Sequence, residues 1–195
     1  KKFESNQIRE VSVEIEEMIN RFTGDEAVAK FELLKAKIVG RLQGLDEYKK
    51  ALNFVALTYP NIEEGKQAEI LLKTDIPKLE ALDFGKTEPT EWKIIFPKKF
   101  PYSLEVKNLT DKIDQYLKDA NSVLLKKSED IYTISDNFIV IHGFTSKEQA
   151  NAVLSLLKEY KNLNDNDLAY VISTEDYKIV QIKKKIEEWL IINKK

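Results

Sequence analysis

The chain of 195 residues contains no cysteine and a single histidine, His142. The absence of cysteine excludes disulfides, thiolate metal sites and cysteine nucleophiles. One histidine cannot form a two-histidine metal site, and no carboxylate cluster accompanies it in the sequence. We therefore expect no catalytic residue, no metal and no cofactor. An enzyme would have to use His142 or a lysine as its base, but a strand-end histidine before Gly143 is more simply bonded to water or a carbonyl.

Other absences narrow the class of protein further. Six scattered glycines form neither GxGxxG nor GxxxxGK[ST], which excludes those two kinds of nucleotide site. A net charge of −2 argues against binding to duplex nucleic acid. No run of about 18 apolar residues occurs, so no transmembrane segment is expected. With 43% apolar and 33% charged residues, the composition is that of an ordinary globular protein.

The first part of the chain, to about Asp83, predicts antiparallel helices, because apolar residues recur at spacings of three and four. A helix from Asp46 to Tyr59 should stop at Pro60, and Asn61 should cap the next one. Pro77 is expected to break or restart that following helix. Short turns between successive helices are typical of the αα-hairpins of helical repeats, which bind partners.

A linker is expected at Asp83–Glu91, where glycine, threonine and proline cluster. The chain beyond it predicts the order strand, helix, strand, strand, helix, strand and final helix, at Trp92–Phe96, Leu104–Ala120, Val123–Lys127, Phe138–His142, Glu148–Tyr160, Leu168–Ser173 and about Glu175–Ile192. The first six form a split βαβ, or ferredoxin-like, antiparallel sheet with both helices on one face. The fold class is therefore α+β, with a helical domain at 1–85 and an α/β domain at 86–195 that carries an extra helix.

Two basic segments are candidate partner-binding sites. One is a proline-bounded loop with charged and aromatic residues, and the other lies in the final helix; the candidates are Lys98, Lys99, Phe100, Tyr102, Lys183 and Lys184. The alternatives are a loop that only wraps the core and the solvated face of an amphipathic helix.

The helical half resembles a tetratricopeptide repeat (TPR). The residues that carry the likeness are Tyr48-x-x-Ala51-x-x-x-Val55, Tyr59-Pro60-Asn61 and Gly65-x-x-Ala68. In such repeats a small residue lets two helices approach closely.

The second half is similar to two further patterns. The stretch from Asn137 to Ala150, NFIVIHGFTSKEQA, resembles the opening of sporulation-related (SPOR) repeats. The ending Tyr177–Ile182, YKIVQI, resembles the carboxyl terminus of the TPR lipoproteins of Bacteroidota gliding motility and type IX secretion, the SprE/PorW kind.

These resemblances imply a non-catalytic scaffold in the periplasm, attached to the outer membrane through a lipid anchor upstream of this chain. Because the first residue is Lys1, we expect a processed protein or a piece of a longer one. The implied partners are other proteins of an envelope secretion and motility complex. The SPOR-like pattern implies an alternative, binding to peptidoglycan through exposed positions of the strands that begin at Phe138 and Leu168.

Overall fold

The computed structural model describes residues 7–160 and 168–193. These residues form eight α-helices and one four-stranded antiparallel sheet, with four helices preceding the first strand. The expected α+β class is therefore confirmed. The chain divides into two compact units, one made of Lys1–Asp83 with Ile179–Lys195 and the other of Phe84–Lys178.

The first unit is helical. Its complete helices are α1 (Ile8–Arg21), α2 (Val28–Gln43), α3 (Leu45–Thr58), α4 (Glu63–Glu80) and, near the end of the chain, α8 (Ile186–Asn193). Helix α2 packs against α1 and α3, and α3 packs against α4. Helices α2, α3 and α4 share one buried cluster, formed by Leu33, Ala36, Leu45, Leu52, Val55, Ala68 and Ile76. Burial of this apolar surface is the main source of stability for such helices.

Two glycines allow the close turns between these helices. Gly44 alone joins α2 to α3 and has a φ of 98°, a left-handed conformation that favours glycine. Gly65 lies in the first turn of α4 against the turn before it. A Cβ at Gly65 would lie 1.8 Å from the carbonyl oxygen of Tyr59, so the approach requires a residue without a side chain.

The start and end of α4 differ from the sequence predictions. The helix begins at Glu63, and its N-cap residue is Ile62, whose side chain makes no capping hydrogen bond, so the predicted cap at Asn61 is wrong. The helix also continues through Pro77 to Glu80. Proline has no N–H to donate to the carbonyl four residues earlier, so the helix passes Pro77 with one backbone bond fewer, while the Pro77 carbonyl accepts the N–H of Ala81 at 3.1 Å.

The second unit contains the sheet. Its elements are β1 (Trp92–Lys99), α5 (Leu104–Asp119), β2 (Lys126–Ile131), β3 (Asp136–Phe144), α6 (Lys147–Tyr160) and β4 (Tyr170–Ser173). The strand order is β2-β3-β1-β4, and every neighbouring pair is antiparallel. Helices α5 and α6 pack with the central strands β1 and β3 around one hydrophobic core. The buried residues of this core are Ile94, Phe96, Leu109, Ile113, Ile139, Ile141, Phe144, Ala150, Leu154 and Leu157.

Two strands differ from their sequence predictions, one in position and the other in length. The predicted strand Val123–Lys127 is observed as Lys126–Ile131, and Val123 and Leu124 are 89% and 66% exposed. The apolar pair suggested a strand, whereas the real edge strand is mostly polar, as edges commonly are. The first strand extends beyond the predicted Phe96 to Lys99.

The predicted single final helix is two helices, α7 (Thr174–Lys183) and α8. Lys184 follows α7 with a φ of 58°, a left-handed conformation that ends the helix. The division between the units falls inside α7, between Lys178 and Ile179. The residues from Ile179 onward thus group with the helical unit, whereas the sequence prediction placed all of 86–195 in the α/β domain.

Two contacts explain this grouping. Ile182 packs against the helical core, and the Lys183 ammonium donates to the backbone carbonyls of Glu80, at 2.8 Å, and of Leu82. Among the described residues, no helix has both the length and the apolar composition needed to cross a membrane.

Candidate functional site

The predicted loop after β1 is held against the start of β3. The Phe100 N–H donates to the Ser135 carbonyl at 2.8 Å, and the rings of Phe100 and Tyr102 meet edge to face with centroids 5.8 Å apart. The Asn137 side-chain amide donates to the Tyr102 hydroxyl at 3.0 Å. The structure therefore brings these aromatic residues together, and Phe100 remains 41% exposed.

The two lysines that were predicted to lie in this loop belong instead to the end of β1, and they differ in exposure. Lys98 is half-buried, whereas the Lys99 side chain is 81% exposed and forms an ion pair with Asp136 at 2.7 Å. Although burial acts to raise it, hydrogen bonds from Lys99, Thr133 and Ser135 hold the pKa of Asp136 below its usual value. An exposed aromatic residue thus adjoins an exposed cation, and its role in partner binding stays a prediction.

Lys183 and Lys184 do not form a solvated basic face. The Lys183 ammonium donates hydrogen bonds to two backbone carbonyls of the helical unit. The Lys184 ammonium lies 3.4 Å from the side-chain oxygen of Gln181, and the side chain is partly buried. Burial, together with the charge of Arg41, lowers the pKa of Lys184 to about 7. Both lysines therefore occupy structural positions at the end of α7.

His142 lies in a polar network on the sheet face opposite the core shared with α5 and α6. Its Nδ1 is 3.1 Å from the Lys93 ammonium on β1, and its Nε2 is 2.5 Å from the Ser128 hydroxyl on β2. Ser128 donates to Asp130 at 2.9 Å, and the Tyr177 hydroxyl donates to the same carboxylate at 2.6 Å. The expectation of a histidine bonded to water or a carbonyl is wrong, because both ring nitrogens contact side chains.

The hydrogen positions in this network follow from the donors available. The Lys93 ammonium can only donate, so Nδ1 of His142 accepts and Nε2 carries the ring proton. Nε2–H then donates to Ser128, whose own hydroxyl hydrogen points to Asp130. Each group has a partner of the opposite kind, which is the condition for a stable buried network.

The same geometry bears on reactivity. Burial lowers the pKa of His142 below 6.5 and the charge of Lys93 lowers it further, while Asp130 and Glu91 act in the opposite direction. A neutral histidine that donates to Ser128 cannot also accept its proton, so the arrangement does not activate the serine as a nucleophile. Residues 7–160 and 168–193 contain no group of three or more His, Asp or Glu side chains placed to hold a metal ion.

The helical unit contains a pocket of about 310 Å³ lined by residues from α2, α3, α4 and α7. Its cations come from α2, and its apolar side chains come from α3, α4 and α7. The lining residues are Lys37, Gly40, Arg41, Leu45, Tyr48, Leu79, Gln181 and Ile182. The Arg41 guanidinium donates to the Gln181 side-chain oxygen at 3.0 Å. The sequence analysis missed this site because its residues are 140 positions apart, and only the four-residue spacing of Lys37 and Arg41 was visible.

The helical unit also exposes large apolar side chains. On α3, Phe54 is 51% and Leu57 is 81% exposed. Phe54 borders a second pocket, of about 230 Å³, which is also lined by Glu32, Lys35, Ala36 and Ala51. Apolar side chains grouped on a surface in this way mark possible contact surfaces.

The strand positions implied for glycan binding are largely unavailable. Phe138, Ile139, Val140 and Ile141 are at most 1% exposed. Leu168 is 59% exposed but precedes β4, which begins at Tyr170. The first four residues of the strand from Phe138 therefore offer no exposed position to a glycan.

Comparison with known protein families and with curated proteins found no match to this chain.

Proposed function

We propose that this chain is a non-catalytic interaction module, the carboxyl-terminal part of a periplasmic outer-membrane lipoprotein that serves type IX secretion and gliding motility. The cellular setting comes from the resemblance of Tyr177–Ile182 and of the helical half to lipoproteins of that kind. The interaction role is supported by the exposed surface of the helical unit.

In this proposal the helices α2, α3 and α4 are TPR-like hairpins. Support comes from the positions that the resemblance singles out. Ala68 and Val55 are at most 1% exposed, and Gly65 lies against the Tyr59 carbonyl. A small residue at each close approach is what such stacked hairpins need.

The second unit is, in the same proposal, a ferredoxin-like domain of the SPOR-like kind. Its order of elements is βαββαβ and its sheet order is β2-β3-β1-β4. That sheet order places the two strands of each βαβ unit on either side of another strand, which is the arrangement of a split βαβ.

The single observation that carries the interaction role is the apolar surface of α3. Phe54 and Leu57 lie three residues apart and so share one side of the helix. A few well-packed side chains carry most of the binding energy of a protein interface, and large apolar side chains on a surface mark sites of contact. We propose that the partner is another protein component of the envelope secretion and motility complex.

The test is affinity capture from the cell envelope of the producing bacterium, with the proteins recovered identified by mass spectrometry. The wild-type chain should recover components of the secretion or motility apparatus. The double substitution Phe54→Ser and Leu57→Ser should reduce that recovery about tenfold or more, since anchors of this kind each contribute over about 1 kcal/mol.

A matched control is Val13→Ser, because Val13 is an apolar residue on α1 that is 63% exposed. It should leave recovery unchanged. Recovery of no envelope protein, or equal loss in the control, would contradict the proposal.

An alternative function, peptidoglycan binding, is favoured by the SPOR-like order of strands. Because Phe138–Ile141 are buried, the strand that contains them offers less surface to a glycan strand. Co-sedimentation with purified peptidoglycan tests it, and retention must exceed that of an unrelated protein of equal charge.

A further inference from the structure

We propose that the 310 Å³ pocket of the helical unit binds a small organic anion, with a carboxylate held by Lys37 and Arg41 and an apolar body against Leu45, Leu79 and Ile182. This inference goes beyond the interaction role proposed above and does not depend on it.

The two cations lie on one side of α2, since residues four apart in a helix are neighbours. Among residues 7–160 and 168–193, neither Lys37 nor Arg41 forms an ion pair with a carboxylate, and the partner of Arg41 is the neutral amide of Gln181. A guanidinium presents a planar set of donors that matches a carboxylate. Both cations are thus available to an anion that enters the pocket.

A third basic side chain lies at this end of the pocket. The Lys184 side-chain nitrogen is 3.4 Å from the same Gln181 oxygen that Arg41 contacts. The charge of Arg41 contributes to the lowered pKa of Lys184, which shows that positive charges act on one another here. An anion between them would relieve that repulsion.

The remainder of the lining suits an apolar body. The absence of a side chain at Gly40 lets the Tyr48 ring lie against α2, because a Cβ there would be 2.8 Å from the ring atom Cγ. The volume is at the lower end of the range for ligand sites, which is about 300–1,000 Å³, and so fits a small ligand.

The charges around the pocket also orient the ligand. Burial raises the pKa of the Tyr48 hydroxyl, and the negative charge of Asp75 raises it further. An anionic group near that hydroxyl would be repelled by Asp75. The carboxylate should therefore point to α2 and the apolar body away from it.

The experiment is a titration of the full chain with 4-phenylbutyrate, followed by amide chemical shifts in nitrogen–proton NMR spectra. Saturable shifts are expected at residues 37–48 and 179–182. The neutral analogue 4-phenylbutanamide should bind about tenfold or more weakly, because it lacks the charge-assisted hydrogen bonds.

Arg41→Gln should weaken the binding of 4-phenylbutyrate by a similar factor, about tenfold. Lys30→Gln is the matched control, since Lys30 is an exposed cation earlier on α2, and it should leave the affinity unchanged. Leu79→Trp should fill the apolar part of the pocket and abolish binding of both probes. Retained thermal unfolding temperatures show that each variant is folded.

Three results would each overturn the proposal. The first is an absence of saturable shifts at these residues with the wild-type chain. The second is equal affinity for the acid and the amide, and the third is equal weakening by Arg41→Gln and Lys30→Gln.

Discussion

At the scale of single residues, the network around His142 joins polar side chains that are far apart in the sequence. The cluster crosses three strands, because Lys93, Ser128 and His142 lie on β1, β2 and β3. Its hydrogen bonds run in one direction, from Lys93 through His142 and Ser128 to Asp130. Such a network fixes the register of the strands, since a slip by one residue would move each side chain to the other face.

His142 should titrate below its ordinary pKa of 6.5, because burial and the charge of Lys93 both lower the pKa. Replacing Lys93→Met should raise the midpoint toward 6.5. As the chain has one histidine, the imidazole proton resonance in NMR spectra reports it without ambiguity.

Lys86→Met is the control for this titration, because Lys86 is an exposed lysine of the same unit. It should leave the midpoint unchanged. A midpoint at or above 6.5 in the wild-type chain would refute the network as described.

The titration has a consequence for stability. Because the folded pKa lies below 6.5, the unfolded chain takes up the proton first as pH falls. The contribution of His142 to the free energy of unfolding is therefore intact above 6.5 and is lost as pH falls from there through the folded pKa.

At the scale of elements, the sequence predicted those helices and strands that carry a clear apolar pattern. The helix of Leu104–Asp119 was predicted because its buried residues Leu109 and Ile113 lie four apart. The first strand was predicted because Ile94–Phe96 form a short apolar run, and all three are buried. The second strand was predicted at the wrong residues because only Ile131 of its six residues is buried. The spacing of apolar residues cannot identify an edge strand whose side chains are mostly polar.

The break between α7 and α8 was not predictable from sequence, because Lys184 is an ordinary helix-forming residue. Its left-handed backbone is accepted where its side chain packs beside Gly44: a Cβ on Gly44 would be 2.8 Å from Cγ of Lys184. Tertiary contacts thus override the local preference.

The lowered pKa of Lys184, about 7 against 10.5, makes the stability of the helical unit dependent on pH. Between these values the unfolded chain binds the proton and the folded chain does not. The free energy of unfolding should rise with pH across this range, by up to about 1.4 kcal/mol per pH unit from this residue. Lys184→Met should remove that slope.

The measurement is urea denaturation at pH 7 and pH 9, followed by the fluorescence of Trp189 in a Trp92→Phe background. Lys185→Met is the matched control, because Lys185 is the neighbouring lysine and is exposed. Its slope should equal that of the parent chain, and an equal slope for Lys184→Met would show that the burial of Lys184 is without effect.

At the scale of the whole molecule, the α+β class was predictable from the change of pattern near Asp83. The discontinuity of the helical unit was not, because it depends on contacts between segments about 100 residues apart, such as Lys183 with Glu80. Likewise, the pocket lined by Arg41 and Gln181 requires the end of the chain to return to its beginning.

The α/β unit lies in the chain as an insertion, and its incoming and outgoing segments adjoin. The Gly85 N–H donates to the Asp176 carboxylate at 2.9 Å, and the Thr174 N–H donates to the Glu91 carbonyl at 2.9 Å. Replacement of residues 84–178 by a short glycine–serine linker should therefore leave a folded helical unit. Circular dichroism and NMR shift dispersion report whether it folds.

The comparison for this variant is a chain that ends at Asp83. It lacks Ile182 and Lys183, and we expect it to be at least about 2 kcal/mol less stable in urea. Equal stability of the two would show that the closing segment is not part of the helical unit.

The adjacency of these two segments also bears on ancestry. A unit whose two ends adjoin can be acquired, exchanged or lost as one continuous segment of the chain. The helical unit and the sheet unit can thus change independently of one another in evolution.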